Sequence, residues 1–306
     1  MKDITPQDLA NNLKLIARRD ESHRTVVTVK GHPIGGETFT VIAGPCAVES
    51  REQVLEIAER VKAAGAHLLR GGAFKPLTFP YRNSRMFELG EEGLRYLREA
   101  GNQSGLPVVT EVMDVRLVET TARYADMLQI GARNMQNFPL LEAAAKAGKP
   151  VLLKRHFGSS LRDWLGAAEY LLYHGNPNVV LCERGIAAAH THAPSSRFIV
   201  DLQVVPAAQE HTHLPVLVDP SHATFRRQYV APVARAALAI GADGILIDVH
   251  PRPEEAAVDP LQALDYEALT RLMGELRAMA PAVGRRLDWS TDERPRRRTR
   301  HASPVT

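Results

Sequence analysis

The sequence predicts an α/β fold, a (β/α)8 barrel, and three observations support this. Eight short runs rich in Val, Ile and Leu occur between residues 41 and 248, with the length and composition of buried strands. Amphipathic segments with helical spacing separate these runs. Polar or charged residues follow nearly every run. Eight strands that alternate with helices are typical of a closed barrel, whose active site lies at the carboxyl ends of the strands.

Three regions are predicted along the chain. Residues 1–40 are predicted to form a short helix and a β-hairpin, with strands at residues 26–30 and 38–41 and a turn at residues 35–36. Residues 41–282 are predicted to form the catalytic barrel. The segment that follows, up to residue 306, is rich in Arg and Pro and is predicted to be a disordered basic tail.

The barrel elements are assigned in chain order. The predicted strands are residues 41–45, 67–70, 107–111, 126–130, 150–154, 179–182, 215–218 and 244–248. The first helix is the clearest, because Ser50 and Gln53 have the spacing of a capping box and Gly65 can end the helix. Three further helices are predicted at residues 161–173, 230–240 and 261–279. The connection after the sixth strand is long and carries only a weak helical pattern.

Composition excludes several classes of protein. The 306-residue chain is 44% hydrophobic and 24% charged, which suits a barrel domain of about 250 residues. No apolar stretch approaches the roughly 18 residues of a membrane span, and the amino terminus lacks the apolar core of a secretory signal. We therefore expect a cytoplasmic protein with no membrane partner. The net charge of +3 is carried by the arginines of residues 294–300, so we expect no nucleic-acid partner.

Charged side chains stand at the carboxyl ends of the predicted strands. A single residue of this kind is explained by a local hydrogen bond, but burying many unpaired charges costs several kcal/mol each and is not expected without a ligand. The basic members need an anion if they converge, and a small phosphorylated carboxylate would neutralise them. They are Arg70, Lys75, Arg133, Lys154 and Arg184.

A second set offers metal-binding atoms. It consists of Cys46, His222, Asp248 and Asp259. A thiolate, an imidazole and two carboxylates suit Mn²⁺, Fe²⁺, Co²⁺ or Zn²⁺ better than Mg²⁺ or Ca²⁺. Because these residues span more than 200 positions, only closure of the barrel would bring them together.

Eight motifs lie along residues 40–265. They are Ala43-Gly-Pro-Cys-Ala-Val-Glu-Ser50, Arg70-Gly-Gly-Ala-Phe-Lys-Pro76, Thr110-Glu-Val-Met-Asp114, Asp126-Met-Leu-Gln-Ile-Gly-Ala-Arg-Asn-Met-Gln-Asn137, Leu152-Leu-Lys-Arg155, Leu181-Cys-Glu-Arg-Gly185, His213-Leu-Pro-Val-Leu-Val-Asp-Pro-Ser-His222 and Val249-His-Pro251. Together they resemble the signatures of type I 3-deoxy-D-arabino-heptulosonate 7-phosphate (DAHP) synthases. This superfamily also includes the 3-deoxy-D-manno-octulosonate 8-phosphate synthases.

The resemblance implies a metal-dependent aldol-type condensation of phosphoenolpyruvate with an aldehyde sugar, which releases phosphate and gives a 3-deoxy-2-ketoaldonate. It implies that a divalent metal (Mn, Co, Fe or Zn) is held by the second set, and that the basic set holds phosphoenolpyruvate. The implied catalytic residues are Lys75, Glu111 and His222. Lys75 is a candidate acid, because neighbouring cations favour loss of its proton. A homo-oligomer, dimer or tetramer, is also implied.

The acceptor side departs from the pattern of the family. The family arginine that helps to bind the phosphate of erythrose 4-phosphate is Leu77 here, next to Thr78, and His156 replaces a family glycine. In the loop after the sixth strand, the family's Thr-Arg-Asn-Thr motif is Ser196-Arg197-Phe198-Ile199, which keeps only Arg197. We therefore expect an aldehyde other than erythrose 4-phosphate, either without a terminal phosphate or with a larger apolar or cyclic group.

Two alternatives remain open. Arg82 or Arg85 could replace the lost guanidinium, which would make the protein an ordinary DAHP synthase of the shikimate pathway. A non-catalytic barrel that binds phosphoenolpyruvate is the other alternative. The departures favour specialised natural-product biosynthesis over primary aromatic amino acid biosynthesis. The family's metal-binding Glu is Asp248 here, one methylene shorter, which leaves the native metal open.

Overall fold

The computed structural model describes residues 4–75, 88–188 and 198–288. The elements that precede the barrel are helix α1 (Pro6–Asn11) and an antiparallel hairpin of β1 (Val27–Val29) and β2 (His32–Ile34). Thr5 caps α1, because its side chain accepts a hydrogen bond from the backbone N–H of Asp8 at 3.1 Å.

The predicted hairpin is present, but its turn and second strand were predicted in the wrong place. The chain reverses at Lys30 and Gly31, which both have positive φ. Of residues 38–41, which were predicted as a hairpin strand, Thr40 and Val41 instead begin the first barrel strand. The sequence misleads here because Gly35 and Gly36 form a second turn directly afterwards, and because Pro33 lies within β2, where proline argues against a strand.

Eight parallel strands form the closed barrel, in chain order around the wall. They are β3 (Thr40–Gly44), β4 (Leu68–Arg70), β5 (Val108–Glu111), β6 (Met127–Ile130), β7 (Val151–Lys154), β8 (Val179–Glu183), β9 (Val216–Val218) and β10 (Gly244–Asp248). The barrel closes where β10 pairs in parallel with β3, from Gly244 opposite Thr40 to Asp248 opposite Gly44. The predicted (β/α)8 fold class and all eight predicted strands are confirmed.

Helices surround this wall and pack on its outward-facing side chains. They are α2 (Arg51–Ala64), α3 (Glu91–Ser104), α4 (Val118–Tyr124), α5 (Phe138–Lys146), α6 (Leu161–Tyr173), α7 (Val204–His211), α8 (Pro220–Thr224), α9 (Arg227–Ala239) and α10 (Tyr266–Met279). Ser50 and Gly65 cap α2 as predicted. Gln53 accepts a hydrogen bond from the backbone of Glu49 instead of that of Ser50, so only half of the predicted capping box forms. Among the described helices, none has the length and hydropathy needed to span a bilayer.

The hairpin closes the amino-terminal end of the barrel. An apolar layer inside the barrel takes one side chain from each strand and packs against three side chains of the hairpin. Its members are Ile42, Leu68, Val109, Met127, Leu152, Val180, Leu217 and Leu246, with Cys182 above them and Val27, Val29 and Ile34 below. All are at most 1% exposed. This layer forms a dry floor for whatever binds at the carboxyl end.

The segment after α10 corrects the predicted start of the disordered tail. Residues 283–288 pack against the amino-terminal end of the barrel. There the carbonyl of Arg286 accepts a hydrogen bond from the backbone N–H of Phe39, and its N–H donates to the carbonyl of Glu37. Arg285 forms a buried ion pair with Asp243, with 3.0 Å between Nη1 and Oδ1. The rest of the predicted tail lies outside the described residues.

Candidate active site

A charged layer lies directly above the apolar floor. Side chains on a strand alternate between its two faces, so the residue two positions after a floor residue also faces the barrel axis. The residues placed in this way are Arg70, Glu111, Gln129, Lys154, Asp219 and Asp248, and all are buried. The spacing thus brings charges of both signs to the carboxyl end of the barrel.

Three of the four predicted metal ligands come together at this end. Cys46 Sγ lies 3.4 Å from Asp259 Oδ2 and 3.9 Å from His222 Nε2. Asp259 Oδ2 is 3.8 Å from His222 Nε2, and all three atoms lie within 4.8 Å of one another. A thiol, an imidazole and a carboxylate at this spacing fit a divalent ion of the Mn, Fe, Co or Zn type.

His222 is oriented toward this cluster by Asp219. Asp219 caps α8, with Oδ1 accepting the backbone N–H of His222 at 2.9 Å and Oδ2 lying 2.8 Å from Nδ1. A carboxylate at Nδ1 favours a proton on that nitrogen and leaves Nε2 for an ion. Burial lowers the pKa of His222 to about 4, although Asp219 opposes the shift. The imidazole is therefore neutral at neutral pH, as a metal ligand must be.

Asp248, the fourth predicted ligand, stands outside the cluster. Its carboxylate contacts the guanidinium of Arg70 and accepts a hydrogen bond from Gln262 Nε2 at 2.5 Å. Its Oδ2 is 3.6 Å from Nδ1 of His222, the nitrogen that does not face Cys46 and Asp259. The side chain is one methylene shorter than the family's Glu, and Arg70 provides a nearer positive charge. The structure therefore groups three of the four predicted ligands.

Four of the five predicted phosphoenolpyruvate cations are buried, each at most 9% exposed. Lys75 Nζ donates hydrogen bonds to the carbonyl of Cys46 at 2.9 Å and to its thiol at 3.2 Å. Lys154 Nζ lies 2.5 Å from Asp219 Oδ2, and Arg184 stacks 4.1 Å from the ring centre of Phe198.

Arg133, the fifth cation, lies in an exposed turn (Ala132–Asn134) after β6. Lys75 thus touches the metal-type cluster, while Lys154 shares Asp219 with His222.

Burial and charge set the protonation of the cluster. Burial raises the pKa of the Cys46 thiol, and the ammonium of Lys75 opposes this rise. Burial also acts to raise the pKa of Asp219, but His222 and Lys154 outweigh it and hold the pKa well below its ordinary value. The layer therefore contains an ionised Asp219 next to a neutral imidazole at neutral pH.

Glu111 reaches the same layer from β5. Its Oε2 accepts a hydrogen bond from Gln129 Nε2 at 3.2 Å. A Cβ atom at Gly131 would lie 1.9 Å from Oε1, so the glycine leaves the space that this carboxylate occupies.

The acceptor side is described only in part. The rings of His156 and Phe157 lie 4.1 Å apart between centres and are tilted by 31°, and the ring centre of Phe157 is 5.4 Å from that of Phe198. Burial lowers the pKa of His156, and Arg184 adds to the shift. The other predicted acceptor residues, Leu77, Thr78, Arg82 and Arg197, and Arg85 with them, lie outside the described residues.

Asp219 and Gln262 were not predicted as site residues. Asp219 holds both Lys154 and His222, and Gln262 holds Asp248. A usable signal for Asp219 existed, because it follows the floor residue Leu217 by two positions and must face the same way. Gln262 lies in the segment between β10 and α10, where no periodicity indicates its direction.

Comparisons with known proteins agree with this geometry. The chain matches the DAHP synthetase I family over residues 23–283. It is 46% identical over 271 residues to phospho-2-dehydro-3-deoxyheptonate aldolase of Thermotoga maritima, covering 89% of this chain and 78% of that protein. It is 31% identical over 267 residues to 2-dehydro-3-deoxyphosphooctonate aldolase of Syntrophotalea carbinolica, covering 81% and 93%.

Solved structures give the same result. The crystal structure of the Thermotoga maritima DAHP synthase matches with a TM-score of 0.84 at 45% identity, covering 89% of this chain and 78% of that chain. A truncated form of the Thermotoga maritima synthase matches with a TM-score of 0.83 at 43% identity, covering 90% and 99%. The chain therefore belongs to the DAHP synthetase I family, and it is a carbon–carbon bond-forming transferase of the DAHP synthase type.

Proposed function

We propose that the protein condenses phosphoenolpyruvate with an aldehyde in a metal-dependent, aldol-type reaction that gives a 3-deoxy-2-ketoaldonate and inorganic phosphate. One observation carries the proposal: a buried layer of cations and a thiol–imidazole–carboxylate cluster share the carboxyl end of one barrel. Lys75 joins the two, because its ammonium lies 3.2 Å from the Cys46 thiol. Homologous enzymes of this family use phosphoenolpyruvate in such condensations.

The cations are suited to a ligand with both a phosphate and a carboxylate. Arg70 and Lys154 are balanced within the protein by Asp248 and Asp219. Within the described residues, the ammonium of Lys75 donates hydrogen bonds only to the carbonyl and the thiol of Cys46. An additional anion is therefore favourable here, and the dry floor below strengthens each interaction with it.

Cys46, His222 and Asp259 would hold the divalent ion. When bound there, the ion supplies a Lewis acid that polarises the aldehyde oxygen or orients the attacking water. Asp219 fixes the imidazole for this role from the opposite side of the ring.

The reaction then requires a carbon–carbon bond and a carbon–oxygen bond to form, and one carbon–oxygen bond to break. C3 of the enolpyruvate bonds to the aldehyde carbon, water adds at C2, and the C2–O bond to phosphate breaks. Of the two protons that the water loses, one replaces the proton that the new hydroxyl takes up and the other leaves with the phosphate. We assign to Lys75 the proton that the former aldehyde oxygen takes up, and to Arg70, Lys154 and Arg184 the stabilisation of charge that moves onto the phosphate. Glu111 is placed beside phosphoenolpyruvate in this proposal.

For the acceptor, the proposal is an aldehyde other than erythrose 4-phosphate. The neighbouring rings of His156, Phe157 and Phe198 support it, because they present apolar and aromatic surface next to Arg184. Such a surface suits a larger apolar or cyclic acceptor, as specialised metabolism would supply.

Erythrose 4-phosphate, the acceptor of shikimate-pathway DAHP synthases, is the second candidate. The 46% identity to the Thermotoga maritima enzyme favours it. The non-catalytic alternative has no comparable support, because the relatives are enzymes.

The test uses the Mn²⁺-loaded protein at saturating phosphoenolpyruvate and compares several acceptor aldehydes. kcat/KM is measured for erythrose 4-phosphate, for erythrose, and for a cyclic aldehyde of similar length. We expect the unphosphorylated or cyclic aldehyde to be preferred. Turnover of erythrose 4-phosphate in the ordinary range of about 1 to 10³ per second would support the second candidate instead.

A further inference from the structure

Glu183, the last residue of β8, connects three segments of the chain from the outer side of the barrel wall. Its side chain is fully buried. Oε2 lies 3.1 Å from Nη1 of Arg155, directly after β7. Oε1 accepts backbone N–H groups from Gly185 at 2.7 Å and Asp201 at 3.4 Å, which stand at the two ends of the long loop after β8.

Arg155 completes the same network. Nη1 also contacts Asp201 Oδ2 at 2.8 Å, and Nε and Nη2 donate to the carbonyl of Ser159 at 3.3 and 3.1 Å. The guanidinium lies over the ring of Trp164 at 6.0 Å. Because a planar guanidinium fixes its partners in direction as well as distance, the ends of β7 and β8 are held in one register.

The neighbours of this pair in sequence are two of the substrate cations. Lys154 precedes Arg155, and Arg184 follows Glu183. Adjacent residues at a strand end face opposite sides of the wall. The backbone N–H of Arg155 also bonds to the carbonyl of Cys182 at 3.0 Å, so the two strand ends are coupled next to the cations.

A stability role alone does not account for this pair. Burial raises the pKa of Glu183, which shows that the charged carboxylate is costly to bury there, with Arg155 opposing the shift. Buried ion pairs contribute little net stability compared with apolar side chains of similar size. They do fix geometry, and here the geometry that they fix is that of Lys154 and Arg184.

We infer that Glu183, acting with Arg155, is a positioning residue that sets the placement of Lys154 and Arg184 for phosphoenolpyruvate. The inference rests on the proposed function. Glu183→Gln keeps an acceptor for Gly185 but removes the charge that holds Arg155. It will allow the two cations to shift by a fraction of an ångström to about an ångström, a displacement that can cost up to about 10²-fold in activity.

Asp243 provides a matched control. It is also a buried carboxylate with one oxygen on an arginine and the other on a backbone N–H: Oδ1 is 3.0 Å from Arg285 and Oδ2 accepts from Val216 at 2.8 Å. It lies at the amino-terminal end of the barrel, remote from the substrate cations. Asp243→Asn therefore reports what loss of a buried carboxylate–arginine pair does to the fold alone.

The experiment measures phosphoenolpyruvate binding by titration calorimetry, steady-state KM and kcat, and thermal unfolding, for the Mn²⁺-loaded wild type and variants. For Glu183→Gln we expect the Kd and KM for phosphoenolpyruvate to rise roughly 10- to 100-fold. We expect kcat to fall as well, because Lys154 and Arg184 also stabilise the charge that moves onto the phosphate. Asp243→Asn should lower Tm and leave Kd and KM unchanged. Asp201→Asn, at the margin of the network, should also raise the KM for phosphoenolpyruvate. This variant replaces Glu183→Gln in the test if Glu183→Gln does not fold.

Equal Kd and KM in Glu183→Gln, Asp201→Asn and wild type would overturn the inference and leave the proposed function intact. An equal rise in Asp243→Asn would also overturn it, because the effect would then follow from general loss of stability. Failure of the wild type to bind phosphoenolpyruvate would overturn the proposed function, and this inference with it.

Discussion

The carboxylate of Asp219 lies 2.8 Å from Nδ1 of His222, while Nε2 of the same ring faces Cys46 and Asp259. The same carboxylate oxygen is 2.5 Å from Nζ of Lys154. One buried aspartate therefore holds both a metal-type ligand and a proposed substrate cation. This contact joins the two halves of the proposed site.

Replacing Asp219 should weaken the metal site even though the residue is not a ligand. Asp219→Asn removes the charge at Nδ1, and we expect Mn²⁺ affinity to fall about 10- to 100-fold. Titration calorimetry of the apo-protein with Mn²⁺ measures this. Asp265→Asn is the control, because Asp265 caps α10 as Asp219 caps α8. Unchanged affinity in Asp219→Asn would contradict the proposed role.

Filling the space at Gly131 should displace Glu111. The Cβ of Gly131→Ala would lie 1.9 Å from Glu111 Oε1, so the carboxylate must move by an ångström or more. We expect kcat to fall by about 10²-fold, measured with both substrates saturating. Gly166→Ala in α6 is the control, because its Cβ meets nothing within 4 Å. If Gly131→Ala keeps wild-type kcat, Glu111 has no role at its present position.

The hairpin should contribute to stability through the floor of the barrel. Ile34 is fully buried against the apolar layer, whereas Val26 next to β1 is 47% exposed. Ile34→Ala should lower the free energy of unfolding by about 2–5 kcal/mol, with a cavity left behind. Val26→Ala should change it little. Urea unfolding of both variants gives the comparison, and equal midpoints would show that the hairpin does not seal the barrel.

Stability should fall as the pH falls below 6.5, and His32 should contribute to this. Burial lowers the pKa of His32 from 6.5 to about 3, with the stacked His67 and Lys62 adding to the shift. Between these values the unfolded chain binds a proton that the folded protein excludes, so acid favours unfolding. Two pH units below 6.5, the loss from His32 is on the order of 2–3 kcal/mol.

The measurement is the urea midpoint of wild type and His32→Gln at neutral pH and near pH 4.5. His32→Gln should show a smaller decrease, because the remaining dependence comes from groups such as His67, whose pKa is also lowered by burial. Identical decreases in the two proteins would contradict a buried neutral His32.

The sequence predicted the eight strands because each is a short apolar run between turn residues and a charged end, and that pattern depends only on local spacing. It misplaced the hairpin turn, because the glycine pair Gly35 and Gly36 is at least as strong a turn signal in the sequence as Lys30 and Gly31. The strand-end charges were predictable as a group, since parallel strands end on one side of the barrel.

The pairing of those charges was not predictable. Whether Asp248 contacts Arg70 or joins the metal-type cluster depends on side-chain length and on distances across the barrel. The spacing of residues along the chain does not reveal these distances. The role of Asp219 in the site was not predicted for a similar reason, because in the sequence it resembles an ordinary helix cap. Its second role appears only when Lys154 and His222 are seen on either side of it.

The most direct test of the central claim is phosphate release from phosphoenolpyruvate by the Mn²⁺-loaded protein, with and without added aldehydes, followed by mass analysis of the product. We predict that phosphate is released only when a suitable aldehyde is present, and that the product contains the carbons of that aldehyde plus the three of phosphoenolpyruvate. Binding of phosphoenolpyruvate without phosphate release for any aldehyde, including erythrose 4-phosphate, would contradict the account.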